Sequence, residues 1–403
     1  MALILSYKFL LRPTVRQQQA LREMLADHCS LYNGALQERR DAYRHASKTT
    51  ITYGQQSAQL KEIRAFDPER QGRWSFKSQQ ATLRRLDKAF AAFFRRIKAG
   101  KKPGYPRFKG VGRFDTVVFP KDGDGCRWDS TPHKQQARVR LQGVGHVRVH
   151  QHRAIQGRVK TISIKREGNR WFVILACDEI SAGPLPETSC QVGIDMGVTH
   201  FLTTSDGVHI ANPRYGKKTA DALAEAQQAL EKFPKRAKAA DRTKKHRAAA
   251  QKVSQLHGKI RRQRLDFAHK AANFIVRNAD VIAHERLNIA NMSRRPRPKP
   301  AEDGTFAPNG AAAKSGLNRS ILDAGWGIFL RILAYKAESA GRQVIEVEAR
   351  NTSRTCPDCG HVSAENRDKE AFECTRCGLV DHADRVGALN TATRAGLVLC
   401  NAT

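Results

Sequence analysis

Three acidic residues constrain this chain more than any other feature. Asp195, Glu285 and Asp384 each stand at the edge of an apolar run, and a paired-cysteine motif is threaded between the second and the third. Gln-Val-Gly-Ile-Asp-Met-Gly, residues 191 to 197, reads as a buried strand that ends in a carboxylate. The next segment, 198 to 207, reads as its hairpin partner, closed by the Asp206-Gly207 turn. Val-Ile-Ala-His-Glu, 281 to 285, puts the second acid at the end of another strand. Asp384 opens a short helix with apolar positions Val386, Leu389 and Ala392 and a stop at Gly396, where the helix's positive end favours a carboxylate. Acids so far apart in sequence meet only in a fold that brings two strand ends and one helix start together.

A cluster of three carboxylates is unfavourable alone, because like charges repel. Hard divalent cations relieve that repulsion, and magnesium in particular takes oxygen ligands and keeps several waters. Two such ions about 3.5 to 4 Å apart stabilise the attacking and leaving oxygens of an in-line phosphodiester displacement. Each acid taken singly reads equally well as an ordinary strand-end or helix-cap residue. Their joint placement around a cysteine knuckle points instead to a nuclease holding two Mg2+ or Mn2+ ions.

Charge names the class of partner. The chain carries 71 Lys and Arg against 38 Asp and Glu, a formal net charge of +33 over 403 residues. Self-repulsion on that scale disfavours a compact state without a counter-charge, so a polyanionic ligand is expected. A membrane is the competing polyanion, but no stretch approaches the roughly 18 apolar residues a spanning helix needs. Met1 to Leu11 is apolar yet interrupted by Lys8, with no small-residue cleavage pattern behind it, so no signal peptide is expected.

The nine cysteines divide into four that are patterned and five that are not. Cys356-Pro-Asp-Cys359 and Cys374-Thr-Arg-Cys377 form two C-x2-C pairs, each followed by a glycine, Gly360 or Gly378, as the tight turns of a zinc knuckle require. A redox role for either pair is the weaker reading, because no strand-helix context surrounds them. Four thiolates close the coordination sphere, so one structural Zn2+ is expected. Cys29, Cys126, Cys177, Cys190 and Cys400 read as reduced, mostly buried thiols of a reducing compartment.

At this length several units are expected. Leu3 to Leu11 alternates like a strand. Thr14-Val-Arg-Gln17 is a capping-box pattern ahead of the helical stripe Leu21, Met24, Leu25, Tyr32 and Leu36. A second helix is read from Leu83, Leu86, Phe90, Phe93, Phe94 and Ile97 up to Gly100, its aromatics taken as core. Short strands punctuated by Gly and Pro follow to about Ile180, including His146 to His150, Thr161 to Arg166 and Trp171 to Cys177. That order fits a β-barrel interrupted near its start by helices. Residues 217 to 279 read as a helical insert between the first two acidic strands. From Lys232 to Arg264, including Lys244, Lys245, Arg261 and Arg262, there are 13 Lys or Arg and one acid, Asp241, a bias that favours phosphate contact over a merely solvated face. Residues 294 to 316, rich in Pro, Ala, Gly and Lys, lack periodicity and read as a mobile loop or lid.

The motifs then match a family. Tyr7-Lys-Phe-Leu-Leu-Arg-Pro13, Tyr32-Asn-Gly-Ala-Leu36, Leu83-Arg-Arg-Leu-Asp-Lys-Ala-Phe90 and Gly104-Tyr-Pro-Arg-Phe-Lys109 carry the resemblance in the first half. In the second half it runs through Gly193-Ile-Asp-Met-Gly-Val198, His284-Glu-Arg-Leu-Asn288, Ala324-Gly-Trp-Gly-Ile-Phe329, Tyr335-Lys-Ala337 and Thr352-Ser-Arg-Thr-Cys-Pro-Asp-Cys-Gly360. The chain resembles TnpB, the transposon-encoded RNA-guided endonucleases related to type V CRISPR effectors. The resemblance implies a multidomain α/β protein. Its wedge β-barrel would comprise residues 1–13 and 101–186, interrupted by a helical recognition lobe at 14–100. A RuvC-like domain of the RNase H type would span 187–350 and 381–403, with a target-binding zinc ribbon at 351–380. Asp195, Glu285 and Asp384 would be its metal-binding catalytic triad.

The resemblance further implies a prokaryotic, cytoplasmic, nucleoid-associated monomer on one transposon-derived guide RNA. It would cut double-stranded DNA beside a short flanking motif with a single RuvC-like centre. Delegating sequence to a guide leaves the protein to recognise backbone charge, duplex shape and a few flanking bases. Lys77, Gln80 and Arg84 are candidates for those flanking contacts, or plain solvated helix surface. The third motif departs from the family's usual Asp-x-Asn-Ala-Ala-x-Asn: Val386 stands for the asparagine and Gly387 for the first alanine. Two other classes fit parts of the pattern, a non-cleaving DNA-binding regulator and an RNase H-fold transposase. Intact acids argue against the first, and cysteines between the second and third acids against the other.

Overall fold

The computed structural model describes residues 3–110, 112–129, 136–180, 183–234, 241–300 and 305–398. The chain divides into two compact units, Met1–Ser181 and Ala182–Thr403. Cys400 lies outside the described residues, as do 235–240 of the basic segment and 301–304 of the expected loop.

The first unit begins with strand β1 (Leu3–Arg12), whose alternate residues Tyr7, Phe9 and Leu11 are buried. Helices α1 (Val15–Arg44), α2 (Tyr53–Phe66) and α3 (Phe76–Lys98) follow before the chain returns to strands β2 (Thr116–Phe119), β3 (Cys126–Asp129), β4 (Arg138–Leu141), β5 (Gly145–His150), β6 (Arg158–Glu167) and β7 (Arg170–Ile180). The capping box expected at Thr14 forms, with Gln17 as its reciprocal partner, and Thr52-Tyr-Gly-Gln55 repeats it at α2. The seven strands pair antiparallel in the order β2-β6-β7-β1-β5-β4-β3. β3 and β6 are five ladder steps apart, roughly 24 Å in a flat sheet, yet their Cα atoms come within 8 Å. The sheet therefore curls back on itself. It does so without a hydrogen-bonded pairing of its end strands β2 and β3. Phe9, Leu21, Leu36, Leu83, Phe114, Val117 and Trp171 fill the space between sheet and helices.

One expectation fails in this unit. All the buried residues of α3, Ser78, Gln79, Thr82, Leu83 and Leu86, belong to its first half. The helix outruns its core, leaving Phe90 and Phe93 partly covered and Phe94 and Ile97 exposed.

The second unit opens with β8 (Gln191–Asp195), β9 (His200–Thr204) and β10 (His209–Ala211). β8 and β9 form the expected hairpin through Ile194↔Thr204 and Asp195↔Thr203. The Asp206-Gly207 turn, however, joins β9 to β10, with Gly207 at φ +90° donating to Thr204. Helices α4 (Tyr215–Lys218), α5 (Ala220–Glu231) and α6 (Lys244–Asn278) then lead to β11 (Val281–Glu285). The short helix α7 (Ile289–Met292) and the pair β12 (Lys299–Pro300) and β13 (Phe306–Ala307) precede helices α8 (Ala311–Ala324) and α9 (Trp326–Ser339) and strand β14 (Gln343–Val347). The stretch 294–316 is thus ordered in its described part: Lys299 pairs with Ala307 and Pro300 with Phe306. From Ala311 the run Ala-Ala-Ala-Lys takes the helix that its high propensity favours.

These strands form a five-stranded sheet, β10-β9-β8-β11-β14, antiparallel up to β8 and parallel from β8 through β14. Val192 and Ile194 pack with α6 and α9 around Phe201, Ile275 and Phe329. Gly193, pointing the opposite way as strand alternation requires, lies under the last helix, α10 (Ala383–Arg394): a Cβ on Gly193 would sit 2.1 Å from the Ala388 carbonyl oxygen. Between β14 and α10 stands a small ribbon of strands β15 (Arg367–Asp368), β16 (Ala371–Glu373) and β17 (Val380–His382), antiparallel about the buried Phe372.

Candidate active site

Parallel pairing sets two acids side by side. Ala283 lies opposite Gly193 and His284 opposite Ile194, so Glu285 and Asp195 leave the carboxyl ends of neighbouring strands at the same level. Asp384 arrives from the first turn of α10, whose axis is held against β8 by the absent side chain of Gly193. Two further glycines let the carboxylates converge. A Cβ on Gly387 would sit 3.2 Å from the Asp195 Cγ, and one on Gly197 would sit 3.4 Å from the Asp384 Oδ2. The structure thus gathers Asp195, Glu285 and Asp384 at one edge of the sheet.

The electrostatics are those of an anionic cluster short of counter-charge. Burial, then the nearby Glu285 and Asp384 carboxylates, push Asp195 up from 3.8 to about 8, against the opposing pull of Arg367. Burial also raises Glu285, offset in part by the Thr352 hydroxyl, which donates to Glu285 Oε1. Thr352 is buried, and its own carbonyl accepts from Asn390 Nδ2 at 2.7 Å, tying the β14–ribbon connection to α10. Arg367, from the ribbon, brings Nη2 to 3.5 Å from Asp384 Oδ1. On the other side, the buried Nδ1 of His200 has no hydrogen-bond partner and faces Asp384 Oδ2 at 4.0 Å. His382 caps α10 by accepting the Asp384 amide at 3.2 Å. His209 packs its ring 4.5 Å from that of His200 and 5.0 Å from that of His382. Hard oxygen donors, an excess of negative charge and an orphaned imidazole nitrogen all suit a divalent cation. Val386, which replaces the family's usual asparagine, is fully buried beside Cys356, Phe372 and Cys374, where an amide would have to find new partners.

The four patterned cysteines also converge. Cys356 and Cys377 sulfurs lie 3.5 Å apart, as do those of Cys359 and Cys374, and all four lie within 4.8 Å of one another. A tetrahedron of zinc-bound sulfurs has edges of roughly 3.8 Å, so the cluster fits one ion. Gly360 and Gly378 take left-handed φ values of +72° and +75° directly after Cys359 and Cys377. Burial raises the Cys374 thiol, but the backbone amides of Cys377 and Arg376 together with the Cys377 and Cys359 thiols outweigh it and hold the group down at about 6, toward thiolate. Cys29, Cys126 and Cys177 are buried free thiols, and Cys190 is half-buried.

The candidate nucleic-acid contacts are dispersed. Lys77 is exposed on α3. Gln80 donates to Ser57 at 2.9 Å, and Arg84 donates to the Tyr53 hydroxyl at 2.9 Å. Lys244 and Lys245 are exposed in the first turn of α6, with Arg261 and Arg262 farther along that helix. No acid stands in that first turn, although cations are disfavoured at a helix's positive end. Thr352, Arg367, His200 and His382 escape a reading of periodicity, because each is a lone polar residue in a loop or at an element's end, whereas Asn390, inside α10, keeps the last position of the family's third motif. Of those four, only His382 offers a signal, in its spacing two residues before Asp384.

Comparison with known proteins places the chain. A family model for the IS605 OrfB proteins, described as "Probable transposase", matches residues 175–295, and a "Cas12f1-like, TNB domain" model matches 326–391. A protein of Escherichia coli (strain K12) with the name RNA-guided DNA endonuclease InsQ is 31% identical over 98% of this chain and 93% of its own length. The chain belongs to the TnpB family. A second relative, an RNA-guided DNA endonuclease by name from Streptomyces pristinaespiralis, is 28% identical over 97% of this chain and 89% of its own. Among solved structures, a Cas12f1–sgRNA–target DNA complex shares the fold at a TM-score of 0.52 and 14% identity, covering 92% of this chain and 82% of that one. A third model, "Helix-turn-helix domain", matches residues 1–48; in this TnpB-family chain the described part of that segment is one strand and one 30-residue helix.

Proposed function

We propose that this chain is an RNA-guided, divalent-metal-dependent DNA endonuclease of a transposable element, working in the prokaryotic cytoplasm as a monomer on one guide RNA. It cuts double-stranded DNA beside a short flanking motif with one RuvC-like centre. The observation that carries the proposal is the meeting of Asp195, Glu285 and Asp384 at the carboxyl edge of a sheet ordered β10-β9-β8-β11-β14, the order of an RNase H-type core. Bound Mg2+ or Mn2+ ions supply Lewis-acid stabilisation of the attacking and leaving oxygens. The chain's own residues hold and aim that chemistry. Asp195, Glu285 and Asp384 would hold the ions as carboxylates, the Thr352 hydroxyl fixes the rotamer of Glu285, and Arg367 tempers the charge on Asp384.

The remaining parts take their roles from charge and placement. The curled seven-stranded sheet of residues 1–13 and 101–186 serves as the wedge, with the helices of 14–100 as the recognition lobe. Lys77, Gln80 and Arg84 contact the flanking duplex. Lys244, Lys245, Arg261 and Arg262 contact the phosphates of the RNA or its heteroduplex. The ribbon at 351–380, closed by one structural Zn2+ on Cys356, Cys359, Cys374 and Cys377, lies against the target strand.

The test is cleavage by the purified protein–RNA complex with Asp195→Ala, Glu285→Ala and Asp384→Ala. Each is expected to abolish cutting while DNA binding stays within about threefold, because each removes a metal ligand and little packing. Near-normal cutting by any one variant removes that residue from the centre.

A further inference from the structure

The end of α3 carries a surface that the nuclease chemistry does not use. From Lys88 to Phe114 there are nine Lys or Arg and no acid. Within that stretch Phe94, Ile97 and Tyr105 are 54%, 47% and 44% exposed, unusual for large apolar side chains set so close together. The rings are held in a fixed cluster. Tyr105 stands edge-on to Phe90 at 5.6 Å and to Phe93 at 5.3 Å, and Phe93 packs against Phe94 at 5.1 Å. Arg96 folds back to donate to the Ala92 carbonyl at 3.1 Å, and its guanidinium covers Gly104, where a Cβ would sit 3.1 Å from it. Beside it Arg95, Lys98, Lys101 and Lys102 are exposed.

We propose that Phe94 and Tyr105, with the flanking arginines and lysines, form a stacking platform for unpaired bases of a nucleic-acid strand. The proposal rests on the reading of this chain as a nucleic-acid-binding protein and assigns that binding a specific surface. Charge selects the occupant: the segment between Asp87 and Asp115, with nine cations and no acid, repels a basic protein, including a second copy of this +33 chain, and attracts a polyanion. Exposed rings add what phosphate contacts lack, because each base has a π face that an aromatic side chain can cover. A duplex offers few such faces along its length, so single-stranded or looped segments are the expected ligand.

The test uses the full chain, freed of RNA at high salt and kept without divalent ions. Fluorescence anisotropy compares a labelled oligouridylate with an abasic strand of equal length. Wild type should prefer the base-bearing strand. Phe94→Ala and Tyr105→Ala should each lose about five- to a hundredfold of that preference, while affinity for the abasic strand and the salt slope stay unchanged and Phe94→Tyr retains the preference. Equal affinity of wild type for both strands, or an equal loss on both strands in the variants, would overturn the platform alone. Failure of wild type to bind either strand would overturn nucleic-acid binding itself. A dimer that Phe94→Ala converts to a monomer would assign the patch to self-association and sink the proposal.

Discussion

Asp195→Asn should make the metal-free protein more stable near and above neutral pH and remove much of the pH dependence that its active site imposes, leaving the part due to the buried Glu285. Asp195 binds its proton more tightly in the fold than in the unfolded chain, where its pKa returns to about 3.9. Its contribution to stability is therefore complete below pH 4 and is lost as pH rises through the folded value of about 8. That rise from 3.8 to about 8 is worth, at about 1.4 kcal/mol per tenfold change in proton affinity, on the order of 5 kcal/mol. Solvent reaches part of the carboxyl and screens it, so ~2–3 kcal/mol is expected in practice. Asn keeps the shape and removes the charge. Thermal melts of the chelated protein between pH 5 and 8.5 should show the stability gained by Asp195→Asn over wild type growing steadily toward alkaline pH. Mg2+ or Mn2+ should restore wild type, most strongly at high pH where no proton must be displaced, and should do much less for the variant. Parallel pH profiles for the two proteins, or equal stabilisation of both by metal, would refute the burial and carboxylate crowding from which the shift is argued.

Calcium should support DNA binding by the protein–RNA complex but give poor turnover, read by comparing a binding and a cleavage assay in the two ions. Replacing any of Cys356, Cys359, Cys374 or Cys377 by Ser should release about one zinc per chain and unfold the ribbon locally, as elemental analysis and limited proteolysis would report; zinc-free wild type would overturn the assignment. Gly193→Ala should disrupt cleavage far more than its single methyl suggests, because its Cβ would sit 2.1 Å from the Ala388 carbonyl and push α10, with Asp384, off the sheet; a variant with wild-type cleavage and melting temperature would contradict that packing.

Much of the second unit was legible because its signals are local. Short apolar runs ending in Asp195 and Glu285 mark strands buried on both faces, and four cysteines at fixed spacing mark a knuckle whatever surrounds them. The Asp206-Gly207 turn closes β9 on β10 and not β8 on β9: three short strands crowd into about twenty residues, and pattern alone cannot say which pair a turn joins. The aromatics of α3 repeat at helical spacing, but periodicity shows only that they share a face, not that anything covers it. Residues 311–316 look like loop in the sequence because the start of α8, Ala-Ala-Ala-Lys-Ser-Gly, has no stripe of large apolar residues; its helix rests on alanine propensity. Thr352, Arg367 and His200 carry no local mark for a different reason. Their importance comes from long-range contacts to Glu285 and Asp384 that no local pattern encodes.

The central claim is that an RNA chooses the target. The purified protein should carry a discrete structured RNA, and the complex should cut DNA matching that RNA's guide segment beside a fixed flanking motif. Changing only the guide segment should redirect cutting to the newly matching DNA while the required flanking motif stays the same, because protein side chains read it. Cutting that stays on the original target after the guide is changed, or that proceeds equally well with RNA-free protein, would contradict the account.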